Sequence, residues 1–305
     1  MAERDPVSAP PASARGVSGP ASAEPPTSAR GVSGPPVALH GLSELRPEHG
    51  PLLVVVGVFD GLHRGHGYLL GELRRAAGRL GAVPAVLTFD HHPDEIVAGA
   101  APPLLCDPEE RLVRLARAGV AVTIVQHFDE ALRRTPYDAF VESIRARTGL
   151  AGFLMTPDAA FGHQRRGTPA ALAAVGARDG FTVVVVPPFD FGGRQVRSTE
   201  IRSAIATGDL AAARALLGRR VAVTGEVADR SSDGREVALR FGVPVALPPT
   251  GRYAATVEPA IAPGSLPARP HGAVVRVGED GTLLVRARPG TLAGGHLRVA
   301  FVRRR

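Results

Sequence analysis

The sequence predicts an α/β chain in which a doubly wound, mostly parallel sheet is followed by a small antiparallel β-barrel. Between residues 52 and 217, apolar runs of strand length alternate with segments of helical period. After Arg220 the helical period ends, and short alternating runs are separated by Gly and Pro turns. We therefore expect a tail at 1–36, an α/β domain at 37–218 and a barrel at 219–305.

The composition excludes several classes of phosphate chemistry. The chain has 305 residues and a net charge of +7, and all 36 of its basic residues are arginine. Without lysine it cannot form a Walker A loop or a Schiff base, so arginine and histidine must bind any phosphate. The arginines are dispersed and few aromatic residues accompany them, which argues against nucleic acid as a partner.

Cysteine content and hydropathy indicate the cellular compartment of the protein. Cys106 is the only cysteine, so an intrachain disulfide or a cysteine metal cluster is excluded. No apolar run approaches membrane-spanning length and no leader pattern is present, so we expect a cytoplasmic protein without a membrane partner. The tail repeats the segment Ser13–Pro20 at Ser28–Pro35, and its Pro, Ala, Ser and Gly content predicts disorder.

The first strand and helix of the α/β domain meet at a pair of histidines. The apolar run from Leu52 to Phe59 predicts a strand, and the helical pattern starts immediately after His63 and His66. The buried face of that helix is predicted to contain Leu69, Leu70, Leu73, Ala76, Ala77 and Leu80. Because first-turn amides lack internal partners and carry the positive end of the helix dipole, this junction can bind phosphate oxygens.

Capping residues mark the helices that follow. Asp107-Pro108, Thr135-Pro136 and Thr168-Pro169 each combine a side-chain cap with a proline in the first turn. Strands are predicted near 85–90, 121–128, 152–156 and 181–186, and two short helices at 198–207 and 209–217. The barrel strands are predicted at 221–227, 235–241, 253–257, 273–277, 282–287 and 297–302.

Polar clusters follow three further strands of the α/β domain. They lie at 88–93, 157–162 and 197–202 and supply hydroxyl, imidazole, carboxylate and guanidinium groups. Each cluster alone is compatible with an ordinary turn or a helix cap. The carboxyl ends of parallel strands meet at one edge of a sheet, however, and ligands bind there, so we expect one joint site.

These motifs resemble those of the prokaryotic bifunctional riboflavin kinase/FMN adenylyltransferase, or FAD synthetase, family. The first motif reads Gly57-Val58-Phe59-Asp60-Gly61-Leu62-His63-Arg64-Gly65-His66, and the others are Thr88 to Pro93, Thr156 to Gly162 and Arg197 to Arg202. The resemblance extends from about Leu52 to Leu217 and implies a Rossmann-like nucleotidyltransferase of the His-x-Gly-His type. It also implies that AMP is transferred from ATP to FMN, giving FAD and pyrophosphate, with Mg²⁺ carried by the nucleotide.

The resemblance also implies roles for individual residues. His63 and His66 would contact the ATP phosphates and the transition state, while Ser198, Thr199 and Arg202 would hold the β and γ phosphates from the opposite wall. His92 and Asp158 would serve either the flavin phosphate or the adenine and ribose. The remaining substrate-binding positions are Gly57, Phe59, Asp60, Gly61, Gly65 and Phe161. No residue is predicted to bind a metal directly.

The sequence departs from the family pattern in both parts. His91 replaces a proline, Ala159 a phenylalanine, Thr156 a glycine and Arg197 a serine. In the second part the family's Gly-Phe-Pro-Thr-Ala-Asn motif has no counterpart within 233–244, so we expect riboflavin kinase activity to be lost. Two other functions remain open, namely a nucleotidyltransferase with a different phosphorylated acceptor and a non-catalytic flavin- or nucleotide-binding regulator.

Overall fold

The computed structural model describes residues 34–261 and 268–305, in a six-stranded parallel sheet and a closed six-stranded antiparallel barrel. The fold class predicted from the sequence is therefore confirmed. Most of the predicted tail, residues 1–33, lies outside the described residues. The sheet strands are β1 (Val37–Leu39), β2 (Leu52–Val56), β3 (Val83–Phe89), β4 (Val122–Gln126), β5 (Leu150–Met155) and β6 (Thr182–Val185).

The strand order of the sheet is β1-β4-β3-β2-β5-β6, and every pairing is parallel. From β2 the chain moves outward through β3 and β4, then returns to the other side of β2 with β5 and continues to β6. The direction of winding reverses between β2 and β5. A crevice opens at such a point, outside the carboxyl ends of the strands, and ligands of doubly wound sheets bind in it.

Helices cover both faces of the sheet. Side chains of β2 alternate between two cores, since Leu52 and Val54 belong to one and Leu53 and Val55 to the other. The helix that follows β2, α1 (Arg64–Leu80), packs Leu70 and Leu73 into the second of these cores. The helices are α1 (Arg64–Leu80), α2 (Pro93–Val97), α3 (Pro108–Arg117), α4 (Glu130–Arg134), α5 (Tyr137–Arg145), α6 (Pro169–Asp179), α7 (Ser198–Ala206) and α8 (Leu210–Leu217).

The barrel closes in the order β10-β11-β8-β7-β12-β9, and all its pairings are antiparallel. Its strands are β7 (Ala222–Arg230), β8 (Glu236–Arg240), β9 (Gly251–Pro259), β10 (His271–Val277), β11 (Leu283–Ala287) and β12 (His296–Arg304). Alternate residues point inward, as with Tyr253, Ala255 and Val257 on β9, which are all buried. Full closure leaves the barrel without an unpaired edge.

One apolar core joins the barrel to the last two helices of the α/β part. Ile201 and Ile205 of α7 and Leu217 of α8 belong to the same buried cluster as Val223 and Tyr253 of the barrel. The segment before α3 adds a backbone link, because the amide of Leu104 donates to the carbonyl of Pro244 at 2.9 Å. The domain boundaries at 218/219 and at 36/37 stay predictions.

Most of the predicted elements are present, and the differences concern short segments and Leu80 of α1, which was predicted to be buried but is 45% exposed. Asp107 and Thr168 cap α3 and α6 with their side chains, as predicted. The prediction was wrong at Thr135, which ends α4, while Pro136 precedes α5. Strand β1 and helices α2 and α4 were not predicted, because three to five residues are too few for a periodic pattern.

The barrel holds one further correction. The strand predicted at 253–257 is longer at both ends, since β9 runs from Gly251 to Pro259. Pro259 is tolerated there because it is the last residue of the strand.

Candidate active site

A strained turn connects β2 to α1 at the crevice. Phe59, Gly61 and Leu62 have φ angles of 53°, 80° and 37°, a region that residues with a side chain rarely adopt. Phe59 is 2 % exposed, so its ring anchors the turn in the core below. An added Cβ at Gly61 would lie 3.0 Å from Leu105, which leaves room only for glycine. Such strain in a buried turn is typical of functional sites.

The two predicted histidines stack on each other at the start of α1. His63 is the N-cap, and its Nδ1 accepts a hydrogen bond from the backbone amide of His66 at 3.3 Å. The ring centroids lie 3.7 Å apart with an interplanar angle of 17°. Because Nδ1 of His63 accepts, the neutral ring carries its proton on Nε2 and can donate from that atom.

Both rings are held in the neutral form. Burial, with a smaller contribution from the Arg219 charge, lowers the pKa of His63 to about 4. Burial and the neighbouring His63 and Arg219 also lower the pKa of His66 well below its usual value. At neutral pH the pair therefore acts through hydrogen bonds and not through a fixed charge.

One atom of His66 lacks a partner. Its Nδ1 is buried and makes no hydrogen bond to any of the described residues. A buried polar group without a partner costs roughly 1–3 kcal/mol, so such groups are rare unless a ligand or water satisfies them. The unpaired nitrogen indicates that His66 binds a ligand or a water molecule.

Asp60 connects the turn after β2 to helix α7. Its buried carboxylate accepts hydrogen bonds from the Leu105 amide at 2.9 and 3.1 Å and pairs with the Arg202 guanidinium at 2.5 Å. Burial raises the pKa of this carboxyl, and the Arg202 charge opposes that rise. Ser198 donates from its hydroxyl to the Asp60 carbonyl at 3.2 Å. Ser198 and Arg202 thus contact the turn after β2 through Asp60, and their phosphate-binding role stays a prediction.

The start of α7 lies beside the start of α1. An added Cβ at Gly65 would lie 3.4 Å from the Val196 carbonyl, which shows how closely the two segments approach. Helix α7 has no side-chain cap, so its first-turn amides are open to a ligand, and Thr199 in that turn is exposed. Two helix N-termini that converge in this way create a strongly anion-attracting region.

A cleft of about 870 Å³ opens along the carboxyl ends of β2, β3 and β5. Five of the predicted site residues line it, namely Gly57, His66, His92, Asp158 and Phe161. Aliphatic and aromatic side chains form most of its remaining wall, including Leu69, Phe89, Phe128 and Ala159. The volume and the mixed lining suit a flat organic ring with a polar end.

The predicted residues therefore fall into two groups that meet at His66. His63, Asp60, Gly61, Gly65, Ser198 and Arg202 lie around the two helix starts, and the other group lines the cleft. Within the cleft group, His92 caps α2 by accepting from the Asp94 amide at 3.2 Å, and burial lowers its pKa. Asp158 accepts from the Thr156 hydroxyl at 2.8 Å.

Two arginines at the site were missed by the sequence reasoning. Arg111 of α3 donates to the carbonyls of Val58 and Phe89 at 3.1 and 2.7 Å, and so fixes the ends of β2 and β3. Arg219, just after α8, donates to the Leu62 carbonyl at 3.4 Å and places its charge near both histidines. Neither lies in a motif, so no sequence signal distinguished them among 36 basic residues.

Gly65 and Gly67 provide a matched test of the histidine geometry. Both lie in the first turn of α1, but an added Cβ at Gly65 would press on the His63 ring at 3.2 Å, whereas at Gly67 no atom lies within 4 Å. For the adenylyl transfer that the resemblance implies, we expect Gly65→Ala to lower kcat/KM about tenfold, since small displacements of a positioning group are costly. Gly67→Ala should leave kcat/KM unchanged and stabilise the helix by roughly 0.5–1 kcal/mol. Equal activities of the two variants would contradict this role for Gly65.

Comparison with known proteins identifies the family of this chain. Residues 45–200 match the family model described as FAD synthetase. A bifunctional riboflavin kinase/FMN adenylyltransferase of Pseudomonas fluorescens is 31% identical over 229 residues, which cover 72% of each chain. The Escherichia coli K12 protein of the same name is 32% identical over 222 residues, covering 72% of this chain and 69% of its own.

A solved structure supports the fold alone. It is described as a macrolide-efflux protein from Streptococcus pneumoniae and is 20% identical, with a TM-score of 0.71 over 88% of this chain and 91% of its own. Among the described residues, no helix combines the length and the apolar character needed to cross a membrane.

The match to this family model makes the chain a nucleotidyltransferase, and a doubly wound sheet with a histidine pair at its switch point suits that class. The chain belongs to the FAD synthetase family and is an FMN adenylyltransferase by that membership. ATP and FMN are accordingly its substrates, and FAD is its product.

Proposed function

We propose that this chain makes FAD at the histidine site and that its barrel does not phosphorylate riboflavin. The observation that carries the first half is the orphaned Nδ1 of His66, which lies where the cleft meets the two helix starts. At this point an acceptor bound in the cleft can reach the phosphates of a nucleotide bound at the starts of α1 and α7.

The proposed roles follow the two groups of residues. His63 and His66 donate hydrogen bonds to the α-phosphate oxygens of ATP, and the amides at the start of α7 bind the β and γ phosphates with Ser198 and Thr199. Arg202 acts from the same wall, and its contact with Asp60 fixes its orientation. In-line displacement at the α-phosphorus needs reactants in position and donors for the spreading negative charge, and it needs no covalent nucleophile.

Magnesium enters this scheme with its nucleotide. Asp60 is the carboxylate closest in sequence to the histidines, and Arg202 and the Leu105 amide already engage it. A carboxylate so occupied is a poor ligand for Mg²⁺, which prefers free oxygen donors and keeps several waters. MgATP is therefore the form of the substrate that this site accommodates.

The cleft is the proposed place of FMN. Phe89, Phe128 and Phe161 offer apolar and aromatic surface to a flavin ring, and His92 and Asp158 offer polar contacts at the wall. Ala159 also lines the cleft, at a position where the motif that the sequence resembles has phenylalanine. Because of this substitution, the alternative of a different phosphorylated acceptor stays open beside FMN.

The contact of Glu258 with Arg298 supports the loss of kinase activity. Riboflavin phosphorylation needs a base for the ribityl hydroxyl and groups that hold a metal-bound γ-phosphate. Glu258 of β9 is already engaged within the chain, since Nη1 of Arg298 donates to its carboxylate at 2.7 Å. Strand β8 buries Val237 and Leu239 in the barrel interior and carries neither threonine nor asparagine.

A direct assay separates these activities. Purified protein with MgATP should form FAD and pyrophosphate from FMN, and should form no FMN from riboflavin. Chromatography of the flavins after each incubation provides the measurement, and a family member with the Pro-Thr-Ala-Asn motif is the positive control. FMN formed from riboflavin would contradict the loss of the kinase. ATP bound without any turnover of FMN or another flavin phosphate would favour the regulator.

A further inference from the structure

A second cluster of side chains, outside the histidine pair, has the composition of a metal site. Asp90 follows the last residue of β3, and His91 comes next to it in sequence. His127 follows the last residue of β4, the neighbouring strand. One potential ligand atom from each of the three residues lies within 4.8 Å of the other two.

The sheet holds this cluster in place. Phe89 and Gln126 are register partners, so the two strands end side by side and deliver Asp90 and His127 to the same point. The Asp90 carboxylate is oriented by the backbone, since Oδ1 accepts from the amides of His91 and Phe128 at 2.7 and 3.1 Å. Backbone donors of this kind fix a carboxylate ligand and leave its second oxygen for another partner.

The two imidazoles converge on the same carboxylate. His127 Nδ1 lies 2.6 Å from Asp90 Oδ2, and His91 Nδ1 lies 3.1 Å from Asp90 Oδ1. The rings are nearly perpendicular, with centroids 5.7 Å apart, so they approach from different directions. A cation placed among these atoms would replace the contact between Asp90 and His127.

From this geometry we propose that Asp90, His91 and His127 bind one divalent transition-metal ion. Two imidazoles and one carboxylate are ligands that suit Zn²⁺, Co²⁺ and Ni²⁺, whereas Mg²⁺ prefers an all-oxygen shell. All three residues are exposed, so an ion enters freely and completes its coordination with water. This site is separate from the magnesium that ATP carries.

The site lies at the rim of the acceptor cleft. Phe89, His92 and Phe128 line the cleft, and each is the neighbour in sequence of a proposed ligand. A bound ion would tie the ends of β3 and β4 together and so stiffen this rim. His91 is central to the proposal because it stands where the related motif has proline, which cannot bind a metal.

Titration of the untagged full chain with CoCl₂ tests the proposal, with the visible spectrum of Co²⁺ and calorimetry as readouts. We expect one Co²⁺ per chain, displaced by ZnCl₂ but not by excess MgCl₂. His91→Ala and His127→Ala should each weaken the affinity at least about tenfold, while His271→Ala, an exposed histidine in the barrel, should not. Co²⁺ should also raise the thermal unfolding midpoint of the parent more than that of His127→Ala.

Three results would overturn this proposal. They are the absence of stoichiometric Co²⁺ binding, unchanged affinity in both alanine variants, or equal loss of affinity in His271→Ala. Far-UV circular dichroism confirms that each variant is folded, and Asp90→Asn provides a third ligand variant if either histidine variant unfolds. Because binding is measured without substrate, its outcome does not depend on whether FMN is the acceptor.

Discussion

His66→Ala should lower kcat for FAD formation by about 10²–10³-fold while the protein stays folded. The ring of His66 packs against His63 and lies 5.0 Å from Phe59, and its buried Nδ1 has no partner among the described residues. One preorganised donor to a developing oxyanion contributes roughly 3–4 kcal/mol to the transition state, which corresponds to that loss in rate. Burial holds the pKa of His66 well below its usual value, so the ring is neutral at neutral pH. It therefore stabilises the transition state through a hydrogen bond and not through a positive charge.

Steady-state kinetics with FMN and MgATP measure this effect, and the thermal unfolding midpoint checks the fold. Truncation to alanine also removes part of the stack with His63, so His66→Gln provides a second variant that keeps a side-chain donor. We expect His66→Gln to retain more activity than His66→Ala. A kcat for His66→Ala within about threefold of the parent value would refute the assignment.

The fold could be predicted because its main elements carry strong local signals. Helix α1 has a buried face at the helical period, and α3 and α6 have side-chain caps followed by proline. Strands β7 and β9 of the barrel alternate between buried and half-buried residues over much of their length. Strand β1 gave no such signal, because its three residues take their place only by pairing with β4.

The candidate site could be predicted only where its residues lie in a motif. His63 and His66 were found because the helix start itself explains why a histidine pair there can meet phosphate. Asp60 was predicted as a binding residue, but its contacts with Arg202 and Leu105 depend on the packing of three separate segments. Arg111, Arg219 and the pairing of Asp90 with His127 depend on tertiary structure in the same way.

A buried network of ion pairs at the junction of the α/β part and the barrel could not be predicted from the sequence either. Glu110 of α3 is 2 % exposed and accepts from Arg298 of β12 at 2.9 Å. Arg114 donates to its other oxygen, and Arg298 also binds Glu258 at 2.7 Å. Four charges therefore compensate one another where water has little access.

Glu110→Gln should lower the free energy of unfolding by about 3 kcal/mol, because it leaves Arg298 buried with only part of its compensating charge. Urea unfolding followed by circular dichroism provides the measurement. Glu142→Gln is the matched control, since Glu142 pairs with Arg145 at 2.9 Å on the surface and its side chain is 63% exposed. Glu142→Gln should lower the free energy of unfolding by less than about 0.5 kcal/mol. Similar losses in the two variants would show that burial does not strengthen the Glu110 contacts.

The pH dependence of stability provides an independent test of the same network. Burial alone would raise the pKa of Glu110, but Arg298 and Arg114 together hold it below the ordinary value of 4.5. A carboxyl whose pKa is lower in the folded state contributes stability above its unfolded pKa and loses it as the pH falls further. The difference in stability between the parent and Glu110→Gln should therefore be largest near neutral pH and shrink below about pH 4.5. A difference that stays constant down to pH 3 would mean that the lost stability comes from packing and not from the charge of Glu110.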